Sequence, residues 1–183
     1  MNRVIWSMNR KGVRGPSRSA PRRNASEPGG PQVLPGIYGV QVIFGADTTS
    51  TTVTVELDPR YEVDLTALRA RHAMYRQYEA MVETAADMMT RVREAKEVIS
   101  RVDRGLEDRD DDTATDLKKQ GKTLSDSLDA FQDRYFGPQG KQGIYRPFDT
   151  VGGKVSGAGR YLFSSDRPPN TPEDWSMSAG RRA

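Results

Sequence analysis

The sequence has 183 residues, which is enough for one ordinary domain or two small ones. Hydrophobic residues make up 35% of it and charged residues 29%, so we expect helices with solvated outer faces and some irregular chain. Because there is no cysteine, disulfide bonds and thiolate zinc sites are excluded. No apolar run approaches the roughly 20 residues of a membrane helix, and we expect no membrane partner.

The formal charge of +3 is unevenly distributed along the chain. Residues 1–35 carry seven basic side chains against one acid, Glu27. A basic arm can bind nucleic acid, but no aromatic residue lies between Arg10 and Arg23, and prolines and serines separate the arginines. We therefore interpret 12–33 as a disordered, solvated loop and treat nucleic acid as an unfavoured partner. Residues 1–8 lack the features of a signal peptide, which predicts a cytoplasmic location for the chain as written.

Alternation of apolar and polar residues predicts three strands in the first 60 residues. Asn2–Met8 is expected to be a strand with Trp6 facing a core. Ile37–Phe44 and Thr49–Leu57 are expected to form a hairpin around a turn at 45–48. Its inward-facing residues are expected to be Tyr38, Val40, Val42, Phe44, Val53, Val55 and Leu57. Since the first strand begins at residue 2, we expect the reading frame to start inside a domain.

A long amphipathic helix is predicted from Asp64, its N-cap, to Leu106. Two files of apolar residues, each with a spacing of seven, form one stripe along it. The files are Leu68, Tyr75, Val82 and Met89, and Tyr78, Ala85, Val92, Ile99 and Leu106. Such a stripe must be buried, and later helices can cover it.

Two further helices are predicted after an acidic turn at 107–112. The first covers about Thr113–Phe136, and its apolar stripe is Leu117, Leu124, Leu128, Phe131 and Tyr135. The second covers about 148–163, with apolar positions Phe148, Val151, Val155, Ala158 and Leu162. Its glycines at 152, 153, 157 and 159 allow either close approach to a neighbouring helix or fraying. Residues 166–183 are expected to be a flexible tail.

These elements predict an α+β fold: a small antiparallel β-sheet, read as an incomplete immunoglobulin-like sandwich, followed by a two- to three-helix antiparallel bundle. The predicted domains are a partial β-sandwich at 1–60, a helical bundle at 61–165 and the tail at 166–183. Both faces of Ile37–Phe44 carry apolar residues, which is typical of a sandwich whose other strands lie elsewhere.

No group of residues predicts catalysis, a metal site or a cofactor site, so we expect none of the three. The only histidine, His72, is interpreted as a packing residue beside the apolar stripe. Glu79 and Glu83 have a spacing that could serve acid–base chemistry, but local ion pairs explain them as well. The acidic turn lacks the glycine and final glutamate of an EF-hand loop.

Two groups of apolar side chains could bind a ligand, although packing explains each of them more simply. Trp6 and Tyr38 could stack on a sugar, but both are expected in the sandwich core. Four methionines of the long helix could line a soft binding groove, but adaptable core filling is more common. They are Met74, Met81, Met88 and Met89.

The order of motifs resembles the C-terminal region of bacterial sortilin-like (VPS10-type) BNR/Asp-box β-propeller proteins, which are often labelled glycosyl hydrolases. The matching stretches are Asn-Arg-Val-Ile-Trp at 2–6, Leu-Pro-Gly-Ile-Tyr-Gly-Val at 34–40 and Asp-Pro-Arg at 58–60 before a long helix. In that family a propeller precedes an immunoglobulin-like sandwich and a helical region. This chain has Ser7 where the family usually has an acidic residue, and it contains no Asp-box.

The resemblance implies a non-catalytic accessory or interaction module, truncated relative to a periplasmic or extracellular parent. Its partner is expected to be the upstream β-propeller or another protein, with possible self-association through the helices. One alternative is that the parent is an exported glycoside hydrolase whose active site lies in the missing propeller. Another is a free-standing coiled-coil adaptor whose basic arm binds acidic partners.

Overall fold

A computed structural model of the chain describes residues 3, 5–60, 62–140 and 149–164. It has the predicted α+β class. The strands are β1 Asn9–Lys11, β2 Gly29–Gln32, β3 Gly36–Phe44 and β4 Asp47–Val55. The helices are α1 Leu65–Gly105, α2 Asp112–Phe136 and α3 Val151–Ser164. The described residues fall into two compact units, one drawn from 1–12 and 28–77 and the other from 13–27 and 78–164.

The N-terminal strand lies later than predicted, and the predicted loop is partly ordered. Residues 5–7 are not in a strand, and Met8 has a φ of 58°, a left-handed conformation that breaks the alternation on which the prediction rested. Instead β1 pairs antiparallel with β2, which lies inside the segment 12–33 predicted to be disordered. Gly30 permits this pairing, because a Cβ there would lie 2.8 Å from the carbonyl oxygen of Lys11.

The predicted hairpin is confirmed as the ribbon of β3 and β4, with slightly different strand ends. Its antiparallel register places Tyr38 opposite Val53 and Phe44 opposite Asp47. The turn is therefore the two residues Gly45 and Ala46, shorter than predicted. Gly45 has a φ of 61°, which suits the first central position of a type II′ turn. The four strands make two separate two-stranded sheets and not one three-stranded sheet.

The long helix α1 is confirmed with its predicted cap and stripe. The carboxylate of Asp64 accepts hydrogen bonds from the backbone N–H groups of Thr66, at 2.8 Å, and Ala67, at 3.3 Å. Every residue of the two apolar files is buried or half-buried, and Met89 is the most buried at 1% exposure. The stripe therefore supplies the core, as its period predicts.

The helix α2 is confirmed, but the face that it buries matches the predicted one only at Leu128 and Tyr135. Leu117, Leu124 and Phe131 are 43%, 52% and 44% exposed. The less exposed positions recur every three or four residues and carry mainly small or polar side chains: Ala114, Lys118, Gly121, Ser125, Leu128, Gln132 and Tyr135. A Cβ on Gly121 would lie 3.5 Å from the Cγ2 atom of Ile99 on α1. The helix thus turns a small-residue seam inwards and leaves most of its leucine stripe in solvent.

The third helix, α3, is also confirmed, and its glycines allow close approach. It packs on α2. A Cβ on Gly152 would lie 2.8 Å from the carbonyl oxygen of Tyr135, and Gly159 lies against the hydroxyl of Tyr78. The prediction for Phe148 and that for the tail at 166–183 lie outside the described residues. None of the helices in the described ranges is both long enough and apolar enough to span a membrane.

Candidate interaction surfaces

The first candidate surface is the ribbon of β3 and β4, which exposes apolar side chains on both faces. On one face Val42 is 57% exposed and Phe44 83%. On the other Ile37 is 75% exposed and Ile43 67%. Val53, predicted to face inwards, is 41% exposed. The turn end of the hairpin therefore packs on nothing in the described structure.

Near its other end the ribbon is anchored by aromatic side chains. Tyr38 donates a 2.5 Å hydrogen bond to the carbonyl oxygen of Leu34, and its ring lies 5.6 Å from that of Trp6. Trp6 itself is 41% exposed, so its predicted place in a core is wrong. Its indole N–H donates to the carbonyl oxygen of Asn9, at 3.1 Å. The two rings are tilted against each other, with an angle of 58° between their planes.

The second candidate surface is an apolar groove of about 450 Å³ bounded by the three helices. Its lining is Ala80, Met81, Thr84, Ala85, Met88, Met89, Phe131, Arg134, Tyr135, Val151 and Val155. Met81 and Met88 are 53% and 50% exposed, whereas Met89 is buried. The interpretation as core filler thus holds for Met89 and is wrong for Met81 and Met88.

Two tyrosines near this groove are shielded from water. Burial raises the pKa of the Tyr78 hydroxyl. Burial also raises the pKa of Tyr135, and the proximity of Tyr78 raises it further. Both hydroxyls therefore stay protonated at neutral pH and present no charge to the groove.

The third candidate surface is a basic groove of about 480 Å³ between α1, α2 and the segment 13–27. Its lining is Arg18, Arg93, Lys96, Glu97, Ser100, Arg101, Arg104 and Gln132. Arg93, Lys96, Ser100 and Arg104 are spaced by three or four residues, so α1 presents them along one side. This spacing is visible in the sequence, but the sequence does not show that Arg18 lies opposite it.

Arg18 reaches this groove because it is fixed to the end of α2. Its guanidinium donates to Asp133 at 2.9 Å and to the carbonyl oxygen of Gly137 at 2.5 Å. The same group lies 5.0 Å from the centre of the Phe136 ring, within the range of a cation–π contact. Arg14 also donates to the carbonyl oxygen of Ser26, at 3.3 Å. The basic segment is therefore folded back on the helices and does not form a free arm.

The only histidine has a packing role, in agreement with its interpretation from sequence. His72 is 8% exposed, and its Nε2 atom lies 2.7 Å from the carbonyl oxygen of Gln32. Its ring meets that of Tyr75 edge-on at 6.1 Å. The imidazole therefore links α1 to the last residue of β2.

The acidic turn at 107–112 contains Asp111, the N-cap of α2. Asp111 accepts a 3.0 Å hydrogen bond from the backbone N–H of Ala114, and Arg109 pairs with the same carboxylate. Donation from Ala114 lowers the pKa of Asp111, and Arg109 lowers it further. Within the described residues no three acidic or histidine side chains form a group that could hold a metal ion.

The chain was compared with protein-family models, with curated proteins and with solved structures, and none of them matched.

Proposed function

We propose that this chain is a non-catalytic interaction module of a sortilin-like β-propeller protein. The observation that carries the interaction role is the ribbon of β3 and β4, which exposes Val42 and Phe44 on one face and Ile37 and Ile43 on the other. The choice of family rests on the order of the sequence motifs. A two-stranded ribbon is marginally stable in water, and this one lacks cover at its turn end. Its partner is the upstream propeller of the same polypeptide or another protein.

The edges of the ribbon support the same proposal. Within the described residues β3 pairs only with β4, so the outer edge of each strand keeps free backbone donors and acceptors. A partner can add a strand to such an edge while its side chains cover the apolar faces. A β-sandwich that includes β3 and β4 would supply both kinds of contact.

In this role the chain itself catalyses no reaction. If the parent is a glycoside hydrolase, its catalytic residues lie in the propeller. The purified chain should therefore show no turnover of aryl glycosides. Turnover that disappeared in Glu79→Gln or Glu83→Gln would contradict a non-catalytic role.

The mass of the native gene product tests the proposal most directly. An antibody against α1 and α2, used on cells that carry the gene, should detect a polypeptide several times heavier than 20.4 kDa. Mass spectrometry of that band should yield propeller peptides together with peptides of this chain. A band at 20.4 kDa alone would refute the proposal and favour the adaptor alternative.

A further inference from the structure

The basic groove combines a row of cations with a concave surface. On α1 the row runs from Arg93 to Arg104, which are 11 positions apart and hence about 16 Å along the helix. Arg18 faces it from the segment 13–27. An extended peptide of about five residues has the same length. The groove is thus long enough for a short linear segment.

The described lining carries five basic side chains and one acidic side chain, Glu97, so the positive charge of the groove is only partly neutralised. Lys96 pairs with Asp129, and Arg18 pairs with Asp133. Arg93, Arg101 and Arg104 form no ion pair with a carboxylate in the described part of the chain. Guanidinium groups bind carboxylates through two parallel hydrogen bonds, so they favour an anionic ligand with that geometry.

Gln132 provides a second observation, independent of charge. It is only 5% exposed and lines the groove, yet no hydrogen bond among the described residues involves its side-chain amide. Its amide atoms still reach the solvent of the groove, so a ligand there could form hydrogen bonds with them. An amide both donates and accepts, and it can therefore pair with the backbone of a peptide.

The residues that line the groove favour an acidic peptide over a single-stranded nucleic acid. Among the described residues no aromatic side chain lines the groove, whereas single-stranded nucleic acid is normally held by stacking on aromatic rings. We propose that the groove binds an extended acidic peptide segment of a partner protein, with Arg93, Arg101 and Arg104 holding carboxylates and Gln132 holding the backbone. This site shares no residue with the ribbon, and the inference does not depend on the proposed function.

The test is fluorescence anisotropy of a labelled oligoglutamate peptide with the purified chain at low ionic strength. The variant Arg93→Gln/Arg104→Gln should weaken binding by about tenfold or more. The matched control Arg76→Gln/Arg91→Gln removes the same charge from exposed positions of α1 outside the groove, and should change binding by less than about threefold. Equal losses in both variants would show diffuse charge attraction and overturn the proposal.

Two further measurements test the role of Gln132 and the choice of an acidic peptide as the ligand. Gln132→Leu keeps the size and burial of the side chain, and it should weaken binding several-fold although the charge is unchanged. Unchanged binding in that variant would refute the role of the amide. Single-stranded DNA of equal charge should bind more weakly than the peptide, and tighter binding of DNA would overturn the choice of an acidic peptide. Circular dichroism would check that every variant retains its helices.

Discussion

At the scale of single residues, the carboxylate of Asp111 links helix capping to pH. Its hydrogen bond with the N–H of Ala114 is stronger when the group is charged, and this lowers its pKa below the ordinary value of 3.8. Because the pKa is lower in the folded chain than in the unfolded chain, the charged carboxylate stabilises the fold when the pH is above the unfolded-state pKa. This contribution is lost as the pH falls through the folded-state pKa. Because the side chain is exposed, salt weakens the effect.

We therefore expect the contribution of this carboxylate to the melting temperature to be fully present above about pH 4 and to be lost progressively at lower pH. Asp111→Asn keeps a capping side chain but removes the charge. It should melt below the wild type at neutral pH, and the two melting temperatures should converge as the pH falls towards about 2. Thermal denaturation followed by circular dichroism across this range would check it. A constant difference at every pH would contradict the linkage.

Two neighbouring methionines of α1 differ in how far their side chains are buried. Met89 is 1% exposed and Met88 is 50% exposed. Met89→Ala should lower the free energy of unfolding by about 2–5 kcal/mol, because it leaves a cavity in the core. Met88→Ala, the matched control, should lower it by less than about 1 kcal/mol. Urea denaturation would measure both, and similar losses would mean that the two side chains are equally buried.

At the scale of elements, glycines decide how α3 packs. Gly152 lies where a Cβ would meet the carbonyl oxygen of Tyr135 at 2.8 Å, and this backbone atom cannot rotate away. A Cβ on Gly157, in the same helix, would meet nothing within 4 Å. Substitution by alanine is therefore expected to change the free energy of unfolding in opposite directions at the two positions.

Gly152→Ala should lower the free energy of unfolding by about 1–3 kcal/mol, because α3 must shift away from α2. Gly157→Ala should raise it by about 0.5–1 kcal/mol, because alanine favours the helix and the site is open. Chemical denaturation of both variants gives the two values. If Gly152→Ala were as stabilising as Gly157→Ala, α3 would not pack against Tyr135 as described.

At the scale of the whole molecule, stability should be unevenly distributed. The amides of β3 and β4 belong to an uncovered ribbon, whereas those around Val82 and Met89 lie in the buried part of α1. In the isolated chain, hydrogen exchange should be fast in the ribbon and slow in that part of α1. Equal protection of all these amides in a cooperative monomer would contradict the view of the ribbon as an incomplete sandwich.

Local rules predicted much of this fold. The seven-residue spacing of Tyr75, Val82 and Met89 places them on one side of any helix, whatever packs against it. The cap at Asp64 and the turn around Gly45 depend only on neighbouring backbone atoms. Such features are determined over a few residues, and the sequence is sufficient for them.

Other features depended on contacts between distant residues. Sequence favoured burial of Leu117, Leu124 and Phe131, but α2 turns Gly121 and Gln132 inwards. Arg18 looked like part of a disordered loop, yet its salt bridge to Asp133 joins residues 115 positions apart. The basic groove exists only because that segment and α1 lie on either side of it. The helices, the cap at Asp64 and the hairpin could thus be predicted, because they obey local periodicity and backbone chemistry. Which faces are buried and which charges meet could not, because burial and charge pairing depend on residues far apart in the chain.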